Sequence, residues 1–157
     1  MKNSKLISVW EVGRIISDMP TRPTVAFAAG VFNTPESEYT VYPNFLEHLK
    51  DGNDLMIVGI FSNEFLNEKE SLEKNVTSLE TRIDFLSRFK SVDFIVVINK
   101  DNDVYDLIKK LRPTEFITTQ ECAGYLRESH EALERFLSGY TKVISFESRR
   151  KIVEVAV

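Results

Sequence analysis

Seven consecutive residues without a polar side chain, Leu55 to Phe61, constrain the fold of this 157-residue chain more than any other segment. The run is too short to span a membrane and too continuous for a strand that has one face in water. It therefore predicts a central strand that is covered on both faces. Phe94 to Ile98 is a second run of this kind. Helix-like segments lie between the strand-like ones, and this alternation predicts an α/β fold with a mostly parallel sheet.

The predicted elements alternate along the whole chain. The spacing of apolar residues predicts helices over 8–18, 44–50, 78–90, 104–111, 126–137 and 149–157, although the last could equally be a strand. Strands are predicted over 24–28, 55–61, 94–98, 115–118 and 142–145. The charged stretch 62–77 is irregular and could be a mobile lid. We therefore predict one doubly wound Rossmann-like domain over residues 1–157, with a short leading helix and a parallel sheet of about five strands.

Charge and cysteine content restrict the class of function. The net charge is −4 and the Lys and Arg residues are spread along the chain, which argues against a nucleic-acid surface. Cys122 is the single cysteine, so nothing indicates an oxidising compartment. Both His48 and His130 stand apart from other candidate ligands, which predicts surface histidines and no metal site. These features predict a cytoplasmic protein that binds neither nucleic acid nor a membrane.

The end of the first predicted strand carries a candidate ligand-binding turn. An apolar run leads into Gly30 and then into Phe32-Asn33. Glycine permits a tight turn, and the N-terminus of the helix that follows attracts anions through its N–H groups. Alternatively, Glu36 and Glu38 fill this position from within the chain. The segment is therefore either a phosphate-binding turn or a purely structural one.

The order of these residues resembles the nucleotidylyltransferase family, whose first strand ends in G-x-F-D and is soon followed by H-x-G-H. Gly30-Val31-Phe32-Asn33 is similar to the first motif, with Asn33 where the aspartate is expected. The likeness continues in order and spacing over nearly the whole chain, and it is greatest to the heptose 1-phosphate adenylyltransferase domain. Further matching segments are 45–49, 54–59, 79–83, 91–96, 111–117 and 148–153.

The resemblance implies transfer of a nucleotide to a phosphorylated substrate by in-line attack on the α-phosphate, with magnesium and release of pyrophosphate. It implies that Arg82 contacts phosphate, although pairing with Glu80 or Asp84 on the helix surface is the alternative. Ser148, Arg149 and Arg150 form either a solvated helix start or an anion clamp. The complete set of candidate nucleotide- or phosphate-binding residues is Gly30, Phe32, Asn33, Arg82, Ser148, Arg149 and Arg150.

The chain departs from the family at the catalytic motif. Residues 34–40 contain no histidine, and Glu36 and Tyr39 occupy the nearest positions. A carboxylate there repels phosphate oxygens. Thr118-Thr119-Gln120 also replaces a Lys-Gly-Gly of the family. Because removal of one charge-stabilising donor costs about 10²–10³ in rate, we expect impaired transfer and assign no catalytic residue.

Three functions are compatible with these residues. The first is a divergent member that retains binding of a nucleotide or sugar-phosphate-like small molecule in a regulatory or assembly role. The second is an active nucleotidyltransferase that uses its arginines for charge stabilisation and carboxylates for Mg²⁺. The third is a protein-interaction domain without a ligand, with Trp10 as a candidate packing patch, although burial of Trp10 within the chain is expected. Mg²⁺ would accompany a nucleotide, no other cofactor is expected, and a homo-oligomer is compatible with all three.

Overall fold

The computed structural model describes residues 4–33, 45–68, 76–118 and 142–145. The helices in these ranges are α1 (Val9–Ser17), α2 (Phe45–Asp51), α3 (Asn63–Glu68), α4 (Leu79–Ser87) and α5 (Asp101–Leu111). The strands are β1 (Val25–Gly30), β2 (Leu55–Phe61), β3 (Phe94–Ile98), β4 (Glu115–Thr118) and β5 (Lys142–Ser145). Within the described ranges, no helix is both long and apolar enough to cross a membrane.

The strands form one sheet in the order β3-β2-β1-β4-β5, and every neighbouring pair is parallel. The chain moves outward from β1 to β3 and then returns to the other side of β1 with β4. This reversal creates a topological switch point between β1 and β4. The predicted doubly wound α/β fold with five parallel strands is confirmed, while the extent of the domain over residues 1–157 stays a prediction.

The strands β1 to β4 contribute to two cores because successive side chains point to opposite faces of the sheet. Phe27 of β1, for example, belongs to one buried cluster, whereas its neighbour Ala28 belongs to the other. Buried residues of α1, α3 and α5 pack against the first face. Buried residues of α2 and α4 pack against the second. Coverage on both faces explains why β2 is uniformly apolar.

One position in β2 tolerates no side chain. A Cβ atom on Gly59 would lie 2.6 Å from Ile98 Cδ1 and 2.9 Å from Phe27 Cε1. The Phe27 ring is itself stacked on Phe116, with 5.3 Å between the ring centroids. Glycine at this position leaves room for the side chains of Phe27 and Ile98 from the two neighbouring strands.

Local capping explains where two of the helices begin. Ser8 Oγ accepts from Glu11 N at 3.1 Å, and Glu11 Oε1 accepts from Ser8 N at 3.1 Å, which is a complete capping box. Ser78 Oγ accepts from Thr81 N at 3.1 Å and starts α4. The predicted starts of these two helices, at 8 and 78, agree with the observed caps, although α4 ends at Ser87, short of the predicted 90.

The segment before α1 covers part of the outer edge of β3. Ile7 N donates to Ile95 O at 3.0 Å, and Ile95 N donates to Lys5 O at 2.9 Å. Leu6 thereby forms a parallel bridge with Ile95. Such coverage blocks pairing of the edge strand with another chain. The sequence analysis did not predict this contact.

Two sequence predictions require correction, and others fall outside the described residues. The stretch 62–77 was expected to be irregular, but α3 lies within it because Phe65 and Leu66 reach the first core. Burial of Trp10 was expected, but its side chain is 63% exposed. The predicted helices over 126–137 and 149–157 lie outside the described residues.

Candidate functional site

The candidate site lies at the carboxyl edge of the sheet, where open parallel sheets bind their ligands. β1 ends at Gly30 and β2 ends at Phe61, so the segments 31–33 and 62–63 follow at the same edge. Residues 76–78, which precede α4, reach the same place through hydrogen bonds to both segments. The residues that follow β4 at the switch point lie outside the described ranges.

The turn after β1 differs from the predicted one. Gly30 is still part of the strand and is paired with Ile60. The left-handed backbone conformation falls two residues later, at Phe32, with φ 53°. A bulky residue in this conformation costs roughly 1–2 kcal/mol, and the cost is offset because the Phe32 side chain is only 2% exposed in the second core. The turn is therefore held by an aromatic anchor rather than by a flexible glycine.

Arg82 of α4 lies at the centre of the carboxyl edge of the sheet. Its side chain is 0% exposed. Nη1 donates to Val31 O at 2.7 Å and to Phe61 O at 2.8 Å, which joins the ends of β1 and β2. Nε donates to Thr77 O at 3.1 Å, and Nη2 donates to Asn63 Oδ1 at 2.8 Å. Arg82 thus points into the fold rather than along the exposed surface of its helix, where a pair with an acidic neighbour had been the alternative.

Asn33 is hydrogen-bonded to Thr77, in the segment before α4. Its Oδ1 accepts from Thr77 N at 2.9 Å and from Thr77 Oγ1 at 3.0 Å. Asn63 Nδ2 also donates to Thr77 O at 3.4 Å. We call Asn33, Asn63, Thr77 and Arg82 the edge cluster. Its polar groups bind one another and the strand ends, so the cluster fixes the shape of the edge.

The edge cluster carries one positive charge, on Arg82, and this charge faces backbone carbonyl oxygens. Carbonyl dipoles stabilise a buried guanidinium through charge-assisted hydrogen bonds. Within the described part of the chain, no three His, Cys, Asp or Glu side chains form a group that could hold a metal ion.

His48 lies away from the carboxyl edge. It stands in the last turn of α2, and Lys50 of the same turn donates to Asp54 O at 2.6 Å, just before β2 begins. His48 is partly exposed, in agreement with the predicted surface position. It cannot take the place of the missing motif histidines, because the opposite end of α2 faces the carboxyl edge.

The structure brings together four of the predicted binding residues, Gly30, Phe32, Asn33 and Arg82. Ser148, Arg149 and Arg150 lie outside the described residues, so the predicted anion clamp stays a prediction. Sequence reasoning missed Thr77. Its partner Asn33 is 44 positions away in the sequence, and no local pattern reveals a contact of that kind.

Comparisons with known proteins agree with this architecture. No protein-family model matches the chain. The chain is 29% identical over 120 residues to bifunctional protein HldE of Campylobacter curvus, an alignment that covers 76% of this chain and 25% of the relative. The chain therefore spans about a quarter of the length of that relative.

Solved structures are similar in fold. The lipopolysaccharide core biosynthesis protein of Thermoplasma volcanium matches 78% of this chain and 95% of its own, with TM-score 0.58 and 13% identity. Pantoate-beta-alanine ligase of Francisella tularensis matches 89% of this chain and 65% of its own, with TM-score 0.60 and 13% identity. The class that these structures define is the Rossmann-like nucleotidylyltransferase fold. Taken with the likeness to HldE, these folds support the predicted resemblance of the chain to the nucleotidylyltransferase superfamily.

Proposed function

We propose that the chain is a divergent nucleotidylyltransferase-like protein. It binds a nucleotide or another phosphate ester at the carboxyl edge of the sheet, is impaired in standard nucleotidyl transfer, and acts in a regulatory or assembly role. One observation carries the proposal: the edge cluster keeps the architecture of a ligand site, while its polar side chains are bonded to the protein itself.

Impaired transfer follows from the positions of the available donors. Nucleotidyl transfer needs donors aimed at the charge that develops on the α-phosphate. Arg82 directs both bonds of Nη1 at strand-end carbonyls, so a shift toward phosphate would break them. The nearest histidine to the turn in the described ranges, His48, lies on the last turn of α2. The donors that the structure describes at this edge are therefore directed at the protein itself rather than at a bound phosphate.

Retained binding is supported by the sheet order and by charge. Open α/β sheets bind ligands at the carboxyl edge beside the switch point, which lies between β1 and β4 here, and the guanidinium of Arg82 is buried at that edge. Pantoate-beta-alanine ligase of Francisella tularensis, which shares the fold, is complexed with beta-gamma ATP and beta-alanine. In the proposal, Arg149 and Arg150 supply the exposed cations that hold the phosphates.

Calorimetric titration with ATP and with CTP, each with magnesium, tests the binding step. We expect saturable heat with a micromolar dissociation constant. Replacing both Arg149 and Arg150 with alanine should weaken binding at least about tenfold, since charge-assisted phosphate contacts are lost. Lys90→Ala is the matched control because Lys90 is an exposed cation after α4. Absence of heat up to millimolar nucleotide would refute retained binding.

A separate assay tests the loss of transfer. The protein is supplied with ATP or CTP together with heptose 1-phosphate or glycerol 3-phosphate, and pyrophosphate release is followed. We expect release far below the roughly 1–10³ s⁻¹ of ordinary enzymes. Turnover in that range, abolished by Arg149→Ala or Arg150→Ala, would establish the active transferase instead.

A further inference from the structure

Trp10 is the most exposed large apolar side chain in the described ranges, at 63% exposure. It is also the single tryptophan of the chain. The inner face of α1 packs against the first core, in which Val12 is 0% and Ile16 is 5% exposed. Trp10 therefore contributes little to the packing of α1 and presents its indole to solvent on the outer side of the helix.

A shallow groove of about 350 Å³ lies beside this indole, between α1 and α5. We call it the Trp10 groove, and its lining residues are Trp10, Gly13, Arg14, Ser17 and Lys110. The two helices approach closely there, because a Cβ atom on Gly13 would lie 3.3 Å from Lys110 Cδ. The Arg14 guanidinium lies over the indole, 5.5 Å from the ring centroid.

The groove combines an aromatic surface with two cations. Among the described residues, neither Arg14 nor Lys110 has a carboxylate within the roughly 4 Å of an ion pair. The nearest acid on the same turn of α1, Glu11, is directed at Ser8 N in the capping box. The groove therefore offers two cationic side chains that have no ion-pair partner among the described residues, on a chain whose net charge is −4.

We propose that the Trp10 groove docks an acidic peptide segment of a partner protein. An apolar side chain of the segment packs on the indole, and a carboxylate pairs with Arg14 and Lys110. Tryptophan and arginine are the residues most enriched where binding energy concentrates, and complementary charge selects the partner. Single-stranded nucleic acid needs a continuous track of cations. A symmetric contact with a second copy would place like cations face to face.

The groove is distinct from the proposed nucleotide site. Arg22, just before β1, donates to Leu111 O at the end of α5 at 2.8 Å, which places that end of the groove near the amino edge of the sheet. The edge cluster lies at the opposite, carboxyl edge. Failure of nucleotide binding would therefore leave this proposal unaffected.

The intrinsic fluorescence of Trp10 reports on the groove directly. The probes are short synthetic peptides in which Glu alternates with Phe, Leu or Tyr, each paired with a version in which Gln replaces every Glu. We expect at least one acidic peptide to give a saturable change at submillimolar concentration and its Gln version to bind at least about tenfold more weakly. Added salt should weaken binding of the acidic peptide, because it screens the charges of the two cations.

Substitutions locate the contact. Arg14→Ala and Lys110→Ala should each weaken binding of the acidic peptide about fivefold or more. Lys90→Ala should not, because Lys90 is an exposed cation that follows α4. Because replacing Trp10 removes the fluorescent reporter, the affinity of Trp10→Ala is measured by the anisotropy of a labelled peptide. We expect this variant to bind the acidic peptide about tenfold or more weakly.

Several outcomes would overturn the proposal. These are equal affinity for Glu and Gln peptides, no saturation with any acidic peptide up to millimolar concentration, or unchanged affinity in Trp10→Ala. Tighter binding of oligouridylate than of peptide would assign the groove to nucleic acid. A concentration-dependent dimer in sedimentation that Trp10→Ala dissociates would assign it to a second copy.

Discussion

Arg82→Met tests whether a buried guanidinium holds the carboxyl edge together. Methionine keeps an unbranched side chain of similar reach but removes every N–H donor. In the structure these donors bind the carbonyls of Val31, Phe61 and Thr77 and the side-chain oxygen of Asn63. The substitution leaves four acceptors facing an apolar group at a position that is 0% exposed.

The expected loss can be worked from these four hydrogen bonds. A hydrogen bond to a charged group contributes about 1.5–3 kcal/mol, so a simple sum would reach about 6–12 kcal/mol. The sum is too large, because burial of a guanidinium costs several kcal/mol and carbonyls near the edge regain water as partners. We expect the free energy of unfolding to fall by about 3–5 kcal/mol, out of a typical total of about 5–15 kcal/mol.

Urea unfolding followed by far-ultraviolet circular dichroism measures this loss. With a slope of about 2 kcal/mol per molar urea, the midpoint should fall by about 2 M. Arg88→Met is the matched control, since Arg88 is exposed at the end of the same helix, and it should change stability by less than about 0.5 kcal/mol. If Arg82→Met remained within about 1 kcal/mol of the parent, the structural role assigned to Arg82 would be refuted.

Three further substitutions test other parts of the fold. Gly59→Ala should lower the free energy of unfolding by about 1–3 kcal/mol in urea titrations, because the added methyl group would meet core atoms at 2.6 and 2.9 Å. Asp93→Ala should cost about 1–3 kcal/mol in the same measurement, since Asp93 Oδ2 accepts from a buried backbone N–H of β2 at 2.8 Å. Ser8→Ala should cost about 1 kcal/mol, seen as a lower thermal midpoint, because the capping box of α1 is lost.

Controls separate these causes from general sensitivity to substitution. Gly52→Ala adds a methyl group 4.0 Å from its nearest contact and should leave stability unchanged or raise it by about 0.4–1 kcal/mol; a loss as large as that of Gly59→Ala would contradict the packing argument. Lys50→Met removes the partly exposed ion-pair partner of Asp93 and a hydrogen bond to Asp54 O, and it should cost less than about 1 kcal/mol. An unchanged midpoint in Ser8→Ala would show that buried packing alone holds α1.

Regular elements with strong local patterns were predicted well from the sequence. The bounds of β2 and β3 agree with the predicted runs residue for residue, because a strand covered on both faces needs an unbroken apolar sequence. α3 was missed because it has only six residues and lies within a charged stretch. Its apolar pair, Phe65 and Leu66, is too short a signal for helical periodicity.

The candidate site was less predictable than the fold. Gly30 was expected to make the turn after β1, but the turn is at Phe32, and a positive φ at a bulky residue depends on what surrounds it. Arg82 was singled out as a functional candidate, and its role in binding stays a prediction, while its burial depends on acceptors from the ends of β1 and β2. Exposure of Trp10 was likewise missed, since periodicity does not show which side of a helix other elements cover.

The sequence by itself determined the alternation of strands and helices, the continuous apolar strands of the centre and the absence of the motif histidines near Gly30. These are local properties, because each can be recognised from residues that are adjacent in the sequence. Only the tertiary structure decided that β1 lies between β2 and β4, that Arg82 binds the ends of two strands, and that Trp10 stays exposed beside Lys110. Each of these depends on groups that are distant in the chain and meet only when the sheet is assembled, because hydrogen bonding and packing act over a few ångströms in space.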